Sequence, residues 1–413
     1  MTLWRDPTAR LVLTANFFLI VGAGITFMAV PWLLIHQPQG EVTYGGVNAA
    51  VTLLIFALLP AFGKLVDRHS RKRIVLGYYL FCFLLNSAVI TSMLLSRRVD
   101  VWHLLTVYCL GSLGHSLYYP AQFALNQEIF SPDQYESLSG TIEVLWQAGA
   151  MVAGAAGAFA ITFVPFWGIL CFDTGCYVLG FLLILRVPYR PRRLVTAEKE
   201  SAWKLLAEGC GYLRERPRLS VVIFGSFLPF LGLMVANYLS PIFVSGTLRA
   251  GPEAYGYGEV AYAVGAVAAG LTVPKLNARY GLVGTLLLTI GVFTVASALV
   301  PLFPVLAIFV VAFAFQGWGN AGSRVARSIL VLQTVPNELV GRVNLFYGAG
   351  ERLLRSVCLV AATWQVAVSG PRTSYWMIAG IAFSAWILVL VCRRTRLRPV
   401  PPRGTCRRIG VSE

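Results

Sequence analysis

The sequence predicts an all-α membrane protein whose twelve transmembrane helices form two six-helix bundles. Three observations carry that prediction. Long apolar runs fill most of the 413 residues, basic residues collect in alternate loops, and the longest polar stretch between runs divides six from six.

The chain is 57% hydrophobic and 13% charged, with a mean hydropathy of +0.69. A soluble chain carries roughly 25% charged residues, and exposed apolar patches beyond a few hundred Å² cause association. A bilayer removes that difficulty, and one crossing takes about 20 mostly apolar residues. Runs between charged or Pro/Gly breaks give spans near 11–36, 43–64, 74–95, 102–127, 137–163 and 166–187, then 218–246, 254–276, 281–302, 304–331, 338–368 and 372–392. The run after Arg10 is longer than the roughly 7–15 residues of a signal-peptide core, so it reads as the first membrane helix.

Twelve spans put both termini on one side. That side holds 25 of the 34 Lys and Arg residues; the opposite loops hold Arg97, Arg98, Arg249 and Arg372, and five more lie within spans. The positive-inside rule places the termini in the cytoplasm. This asymmetry accounts for most of the net charge of +16 without a nucleic-acid partner. The basic tail is expected to lie against anionic membrane lipids.

The organisation is therefore an N-terminal bundle over 1–187, a cytoplasmic linker over 188–217, a C-terminal bundle over 218–392 and a basic cytoplasmic tail over 393–413. In the linker, the apolar spacing from Trp203 to Leu213 fits either a short amphipathic surface helix or a plain connector. Two echoes relate the halves. Lys64-Leu65-x-x-Arg68 is matched by Lys275-Leu276-x-x-Arg279, and Ser131-Pro132 by Val335-Pro336. Internal repeats of this kind mark transporter folds that rock around a midplane site.

The eight cysteines include no C-x-x-C pair, so they read as small buried hydrophobes rather than a zinc site or a disulfide frame. No metal and no cofactor are expected. There is no G-x-x-x-x-G-K-[ST] loop, which argues against ATP hydrolysis on this chain. His36, His69, His103 and His115 are scattered, and no catalytic constellation is evident, so the chain does not read as an enzyme.

The stretch from Gly63 to Arg73 carries the most specific signal. Gly63, Leu65, Asp67, Arg68, Arg71 and Lys72, between spans 2 and 3, resemble the loop signature of the major facilitator superfamily. Ser70 stands where the signature has its second glycine. The resemblance implies the two-bundle fold and a gate in which Asp67 meets the N-terminus of span 11, after Pro336-Asn337, when the cytoplasmic side is shut. Gly63, Asp67, Arg68 and Arg71 are the gating candidates. In the second half Ala278 replaces the acid. The Pro120-Ala121 run and the Ser131-Pro132-Asp133 turn resemble the drug, macrolide and siderophore exporters of that superfamily. Gly149, Gly154 and Gly157 of span 5 fit either the glycine-rich antiporter motif, here without its proline, or plain helix packing.

Charges inside a membrane cost at least about 2.5–3.5 kcal/mol each, so they mark function or need partners. Glu143, Asp173 and Glu351 are the proton-coupling candidates, with Glu143 foremost. Arg324, Arg327, Arg352 and Arg355 with Glu351 make a cluster of net charge +3, which suits a carboxylate-bearing solute or reflects snorkelling near the membrane edge. The substrate-binding candidates are Asn16, Tyr119, Glu143, Trp146, Gln147, Asn237, Tyr238, Gln316, Trp318, Asn320, Arg324, Glu351 and Arg355. The expected function is proton-coupled export of a small amphipathic or anionic metabolite, a siderophore being the sharpest case, by a monomer in a bacterial inner membrane. An importer of an anionic nutrient or siderophore stays open on the same fold, and a membrane receptor or enzyme is the reading of another class.

Overall fold

In lipid every backbone polar group must be satisfied within the structure, and a helix does this by itself. The computed structural model follows that rule. It describes residues 5–131, 134–189 and 202–392; the side chains at 67, 135–137, 139, 140, 143, 202–206, 337 and 338 lie outside the description, as do the 190–201 part of the linker and the tail. Among the described residues there are eleven α-helices and no strand.

Six helices precede the linker: α1 (Pro7–Ile35), α2 (Gly40–Arg68), α3 (Arg71–Ser96), α4 (Val101–Ile129), α5 (Tyr135–Phe163) and α6 (Phe166–Arg186). After α7 (Ala202–Arg214) come α8 (Pro217–Gly246), α9 (Pro252–Leu302), α10 (Leu306–Thr334) and α11 (Asn337–Val391). Local chemistry sets several starts. Asp6 caps α1 by accepting from the Thr8 N–H at 2.8 Å, and Asp100 and His103 form a reciprocal cap on α4. Pro7, Pro217 and Pro252 sit at helix starts, where a missing N–H costs nothing.

The described helices include nine that are long and apolar enough to cross a membrane: α1–α3, α5, α6 and α8–α11. α4 is as long as its neighbours but more polar. Two helices are too long for one crossing: α9 has 51 residues and α11 has 55, where about 20 span 30 Å. Each is broken once, α9 at Gly281 (φ 70°) and α11 at Gly370 (φ 80°). Glycine tolerates that conformation and an L side chain does not. The expected separate spans 8 and 9, and 11 and 12, thus appear as end-to-end pairs joined at a glycine. The expected breaks near Pro165 and Pro304 are both present.

The helices alternate in direction. One end of the molecule, the near end, carries the 69–70 loop and α7. The other, the far end, carries the turns at 36–39 and 247–251. Packing differs between the two. At the near end one apolar cluster lies wholly within 9–187 and another wholly within 213–392. At the far end a third cluster draws on both, with Trp32, Tyr44 and Tyr108 beside Tyr238, Tyr255 and Tyr375. α5 packs on α9, and α2 on α11. A β-carbon on Gly256 would lie 2.6 Å from Ala158 Cβ and 2.7 Å from the Gly154 carbonyl oxygen, so the α5–α9 crossing needs small residues.

α7 falls where the sequence allowed a short amphipathic helix. It docks on the second half: Arg342 pairs with Glu208, and the Tyr212 hydroxyl donates to the Thr334 carbonyl at 2.9 Å. Burial raises the Tyr212 hydroxyl above its ordinary pKa, which keeps it a donor.

Candidate functional site

The shared far end closes over a cavity of about 460 Å³ lined from both halves by α1, α2, α4, α5, α8, α9 and α11. Its far wall is aromatic. Tyr44 meets Tyr108 edge-on at 5.6 Å and Tyr238 at 5.4 Å, and Trp32 stacks on Tyr255 at 6.5 Å. Hydrogen bonds tie the halves there. The Tyr238 hydroxyl donates to the Glu41 carbonyl at 3.1 Å, and Ser245 Oγ lies 3.1 Å from His36 Nε2.

Besides its tyrosines, the cavity is lined by an acid, Glu259 on α9, and two basic side chains, Arg355 on α11 and His115 on α4. Asn48, Ser112 and Asn237 add neutral polar groups. Arg355 Nε lies 3.8 Å from Glu351 Oε1, one turn away, an ion pair through space rather than a hydrogen bond. The arginine and the amides lining the cavity offer donors to an oxyanion; the carboxylate of Glu259 offers the opposite charge.

The structure places Asn237 and Arg355 of the substrate-binding candidates on the cavity wall, with Glu351 beside Arg355. Tyr238 forms part of the far seal. The others lie elsewhere. Asn16 is buried in the first half, accepting from the Tyr118 hydroxyl at 2.8 Å. Gln147 is buried, while Tyr119 and Trp146 are exposed. Trp318 donates to Thr272 Oγ1 at 2.9 Å and Asn320 to the Tyr262 hydroxyl at 2.7 Å, so they fasten α10 to α9. Gln316 is fully buried there, its amide without a hydrogen-bond partner. Arg324 is half-buried on α10. The side chain of Glu143 lies outside the described residues.

Two more arginines of the cluster have local partners. Arg327 sits 3.8 Å over the Phe227 ring and donates to the Ser226 carbonyl at 2.9 Å. Arg352 reaches the Gly348 carbonyl on its own helix at 3.5 Å. The cavity charge is therefore more balanced than the net +3 of the cluster.

Asp173 occupies a separate place, buried inside the first half. Its Oδ2 accepts from Thr26 at 3.0 Å and from Asn86 at 3.2 Å, while Oδ1 has no partner. A gap of about 20 Å³ beside it is room for about one water. Phe27 and Tyr108 line both this gap and the main cavity.

The gating candidates lie at the near end. Arg71 Nε is 3.5 Å from Glu128 Oε1 at the end of α4, and Glu128 also accepts from the Tyr189 hydroxyl. Lys72 Nζ donates to the Leu185 and Val187 carbonyls at 2.9 and 2.7 Å. Burial and the bond to Glu128 push the Tyr189 hydroxyl above its ordinary pKa, so it stays a donor. Gly63 faces open space and Arg68 is exposed. The side chains of Asp67 and Asn337 lie outside the described residues. Gly149 and Gly157 pack against α1, and Gly154 against α9.

Sequence reasoning missed Glu259, Tyr44 and Tyr108, and did not rank His115 as a site residue. Glu259 had a usable signal, being the sole acid between 254 and 276. Among the described residues no group of three or more His, Cys, Asp or Glu is placed to hold a metal, and the seven described cysteines are free thiols.

Comparison with known proteins adds to this geometry. The profile of the Major Facilitator Superfamily matches residues 12–251 and 222–408. Macrolide efflux protein A of Streptococcus pyogenes is 24% identical over 365 residues, 87% of either chain. Enterobactin exporter EntS of Shigella flexneri is 27% identical over 418 residues, covering 97% of this chain and 95% of that one. A bacterial homologue of the iron transporter ferroportin, solved in an inward-facing state, superposes with a TM-score of 0.72 at 15% identity over 96% of this chain and 100% of its own. The match runs through nearly the whole sequence, and the chain belongs to the Major Facilitator Superfamily: it is a transporter of small solutes, not an enzyme.

Proposed function

We propose that the chain exports a small amphipathic or anionic metabolite, such as a siderophore, from a bacterial cytoplasm by proton-coupled alternating access. Counting each arm of α9 and α11 as one crossing gives twelve spans with α1–α6, α8 and α10, in two bundles over 1–187 and 218–392. The break between α6 and α8, occupied by the linker, supports that division. The Lys/Arg bias supports cytoplasmic termini at the near end.

One observation carries the reading: a cavity with polar walls from both halves lies under a seal confined to the far end. With the near end cytoplasmic, this is a chamber that loads from inside. Export follows when the halves rock, the near end closes and the far seal parts. Asn237, Glu351 and Arg355 orient the solute. Gly63, Asp67, Arg68 and Arg71 work the near gate, where Asp67 meets the helix dipole at the start of α11. Among the proton carriers Asp173, Glu143 and Glu351, the isolation of Asp173 beside a one-water gap favours it. The names of the efflux and exporter relatives support the direction.

Purified protein in liposomes, with an imposed pH gradient and known orientation, tests this. Enterobactin or a macrolide should leave the near-end compartment only while the gradient lasts. Accumulation in the opposite direction would replace the exporter with an importer; gradient-independent flux would remove the proton.

A further inference from the structure

We infer that Glu259 is a subsite for a positively charged nitrogen, so that the cavity takes amphiphiles bearing an ammonium or similar cation. The inference rests on the proposed reading of this cavity as the solute chamber, and it narrows the solute class. Glu259 lines the cavity together with Arg355 and His115. Arg355 already lies 3.8 Å from Glu351. Glu259 has no ion-pair partner among the described residues, and its neighbour is the Tyr255 hydroxyl one turn earlier. A carboxylate at membrane depth without a cation is costly. A cationic solute would remove that cost, and the ring of Tyr255, which lines the cavity with Glu259, offers an aromatic contact beside it.

The position of Glu259 adds a second point. A β-carbon on Gly154 of α5 would lie 3.1 Å from Glu259 Cβ. The carboxylate therefore sits on the α5–α9 seam, where a bound cation touches both halves and senses whether they are together. A cluster of arginines alone would select anions. An acid without an ion-pair partner and a loosely paired arginine lining one cavity select a molecule that carries both signs, or a cation with an acceptor group.

Tetraphenylphosphonium and tetraphenylborate, ions of nearly one shape and opposite sign, are the probes. Equilibrium dialysis against the purified full-length protein should show both binding. Glu259→Gln should weaken the phosphonium at least about tenfold, or 1.4 kcal/mol, and leave the borate within about twofold. Glu259→Asp should keep most phosphonium affinity. Equal losses for the two ions, or no loss, overturn the inference while leaving the chamber intact. Should the wild type bind neither ion, the chamber reading fails and this one with it. If Glu259→Gln does not fold, carbodiimide labelling of the wild type serves instead. Phosphonium should protect Glu259 from modification and borate should not; equal protection overturns the subsite.

Discussion

Thr363 of α11 occupies the space that a β-carbon on Gly45 of α2 would need: its own Cβ lies 2.8 Å from that point, with the Tyr238 hydroxyl at 2.7 Å. The far seal depends on this approach. Overpacking costs about 1–3 kcal/mol, enough to shift a two-state equilibrium roughly 5- to 150-fold. Gly45→Val should therefore open the far end. In a cysteine-free background, Asn48→Cys on the cavity wall should react with an impermeant maleimide from the far side at least about tenfold faster once Gly45→Val is added. Unchanged labelling would show that α2 and α11 part elsewhere.

The same pair supports a crosslink. Disulfide Cβ atoms sit about 3.5–4.5 Å apart, and small adjustments bring Gly45→Cys and Thr363→Cys into that range. Oxidation should form the bond readily and stop transport, and reduction should restore it. A crosslinked protein that still turns over would mean that the far seal does not open during transport.

Asp173, the proposed proton carrier, and Gly22, a packing position beside it, can be told apart by substitution. A β-carbon on Gly22 would lie 2.8 Å from both Asp173 Oδ1 and Cys176 Cβ, so Gly22→Ala should lower stability by about 1–3 kcal/mol, read as a lower melting temperature in detergent. Asp173→Asn keeps the shape and the partners Thr26 and Asn86. It should leave melting within a few degrees and solute exchange intact, while gradient-driven flux falls to the leak rate. Full gradient-driven flux in Asp173→Asn would make that carboxyl structural.

Arg327 illustrates what hydropathy and charge alone leave open. In the sequence it is one of four arginines in a net-positive cluster. In the fold it covers Phe227 and caps the Ser226 carbonyl on α8. A desolvated cation–π contact contributes up to about 2 kcal/mol, and a lost bond to a charged group about 1.5–3. Arg327→Gln should cost about 2–4 kcal/mol of stability without altering preference between cationic and anionic ligands. A changed preference with unchanged melting would return Arg327 to the solute path.

The difference between legible and hidden features is physical. Spans were legible because about 20 apolar residues have few other uses, and the breaks at Gly281 and Gly370 were foreshadowed by glycines beside charged or polar residues. Asn237 and Arg355 were legible because polar groups in apolar helices are expensive. Tyr44 and Tyr108 were not, because a helix apolar on every side gives no periodic mark of the face that meets a cavity. Asn16 and Asn320 drew attention as polar groups, yet their partners, Tyr118 and Tyr262, are 102 and 58 residues away. Nothing local distinguishes a satisfied amide from a ligand-binding one. Glu259 was legible by the same reasoning as Arg355 and was passed over because it stands alone.

The near-end loop yields the last prediction. Arg71 pairs with Glu128, and Lys72 holds the Leu185 and Val187 carbonyls, so the start of α3, and with it the short loop after α2, is tied to the ends of α4 and α6 within the first half. It should then move with that half as one body, carrying Asp67 toward or away from α11. Removing a tether should slow the change of conformation without weakening solute binding. Arg71→Ala and Glu128→Gln should each lower turnover, and the double variant should be no worse than the weaker single. Coupling of about 0.5–3 kcal/mol is expected for such a contacting pair. Asp67→Asn should lower turnover further, with equilibrium binding unchanged, because it removes the group meant for the start of α11 rather than the tether that positions it. Additive losses from Arg71→Ala and Glu128→Gln would break that chain of action at its first link, and weakened binding in Asp67→Asn would move the residue from the gate to the chamber.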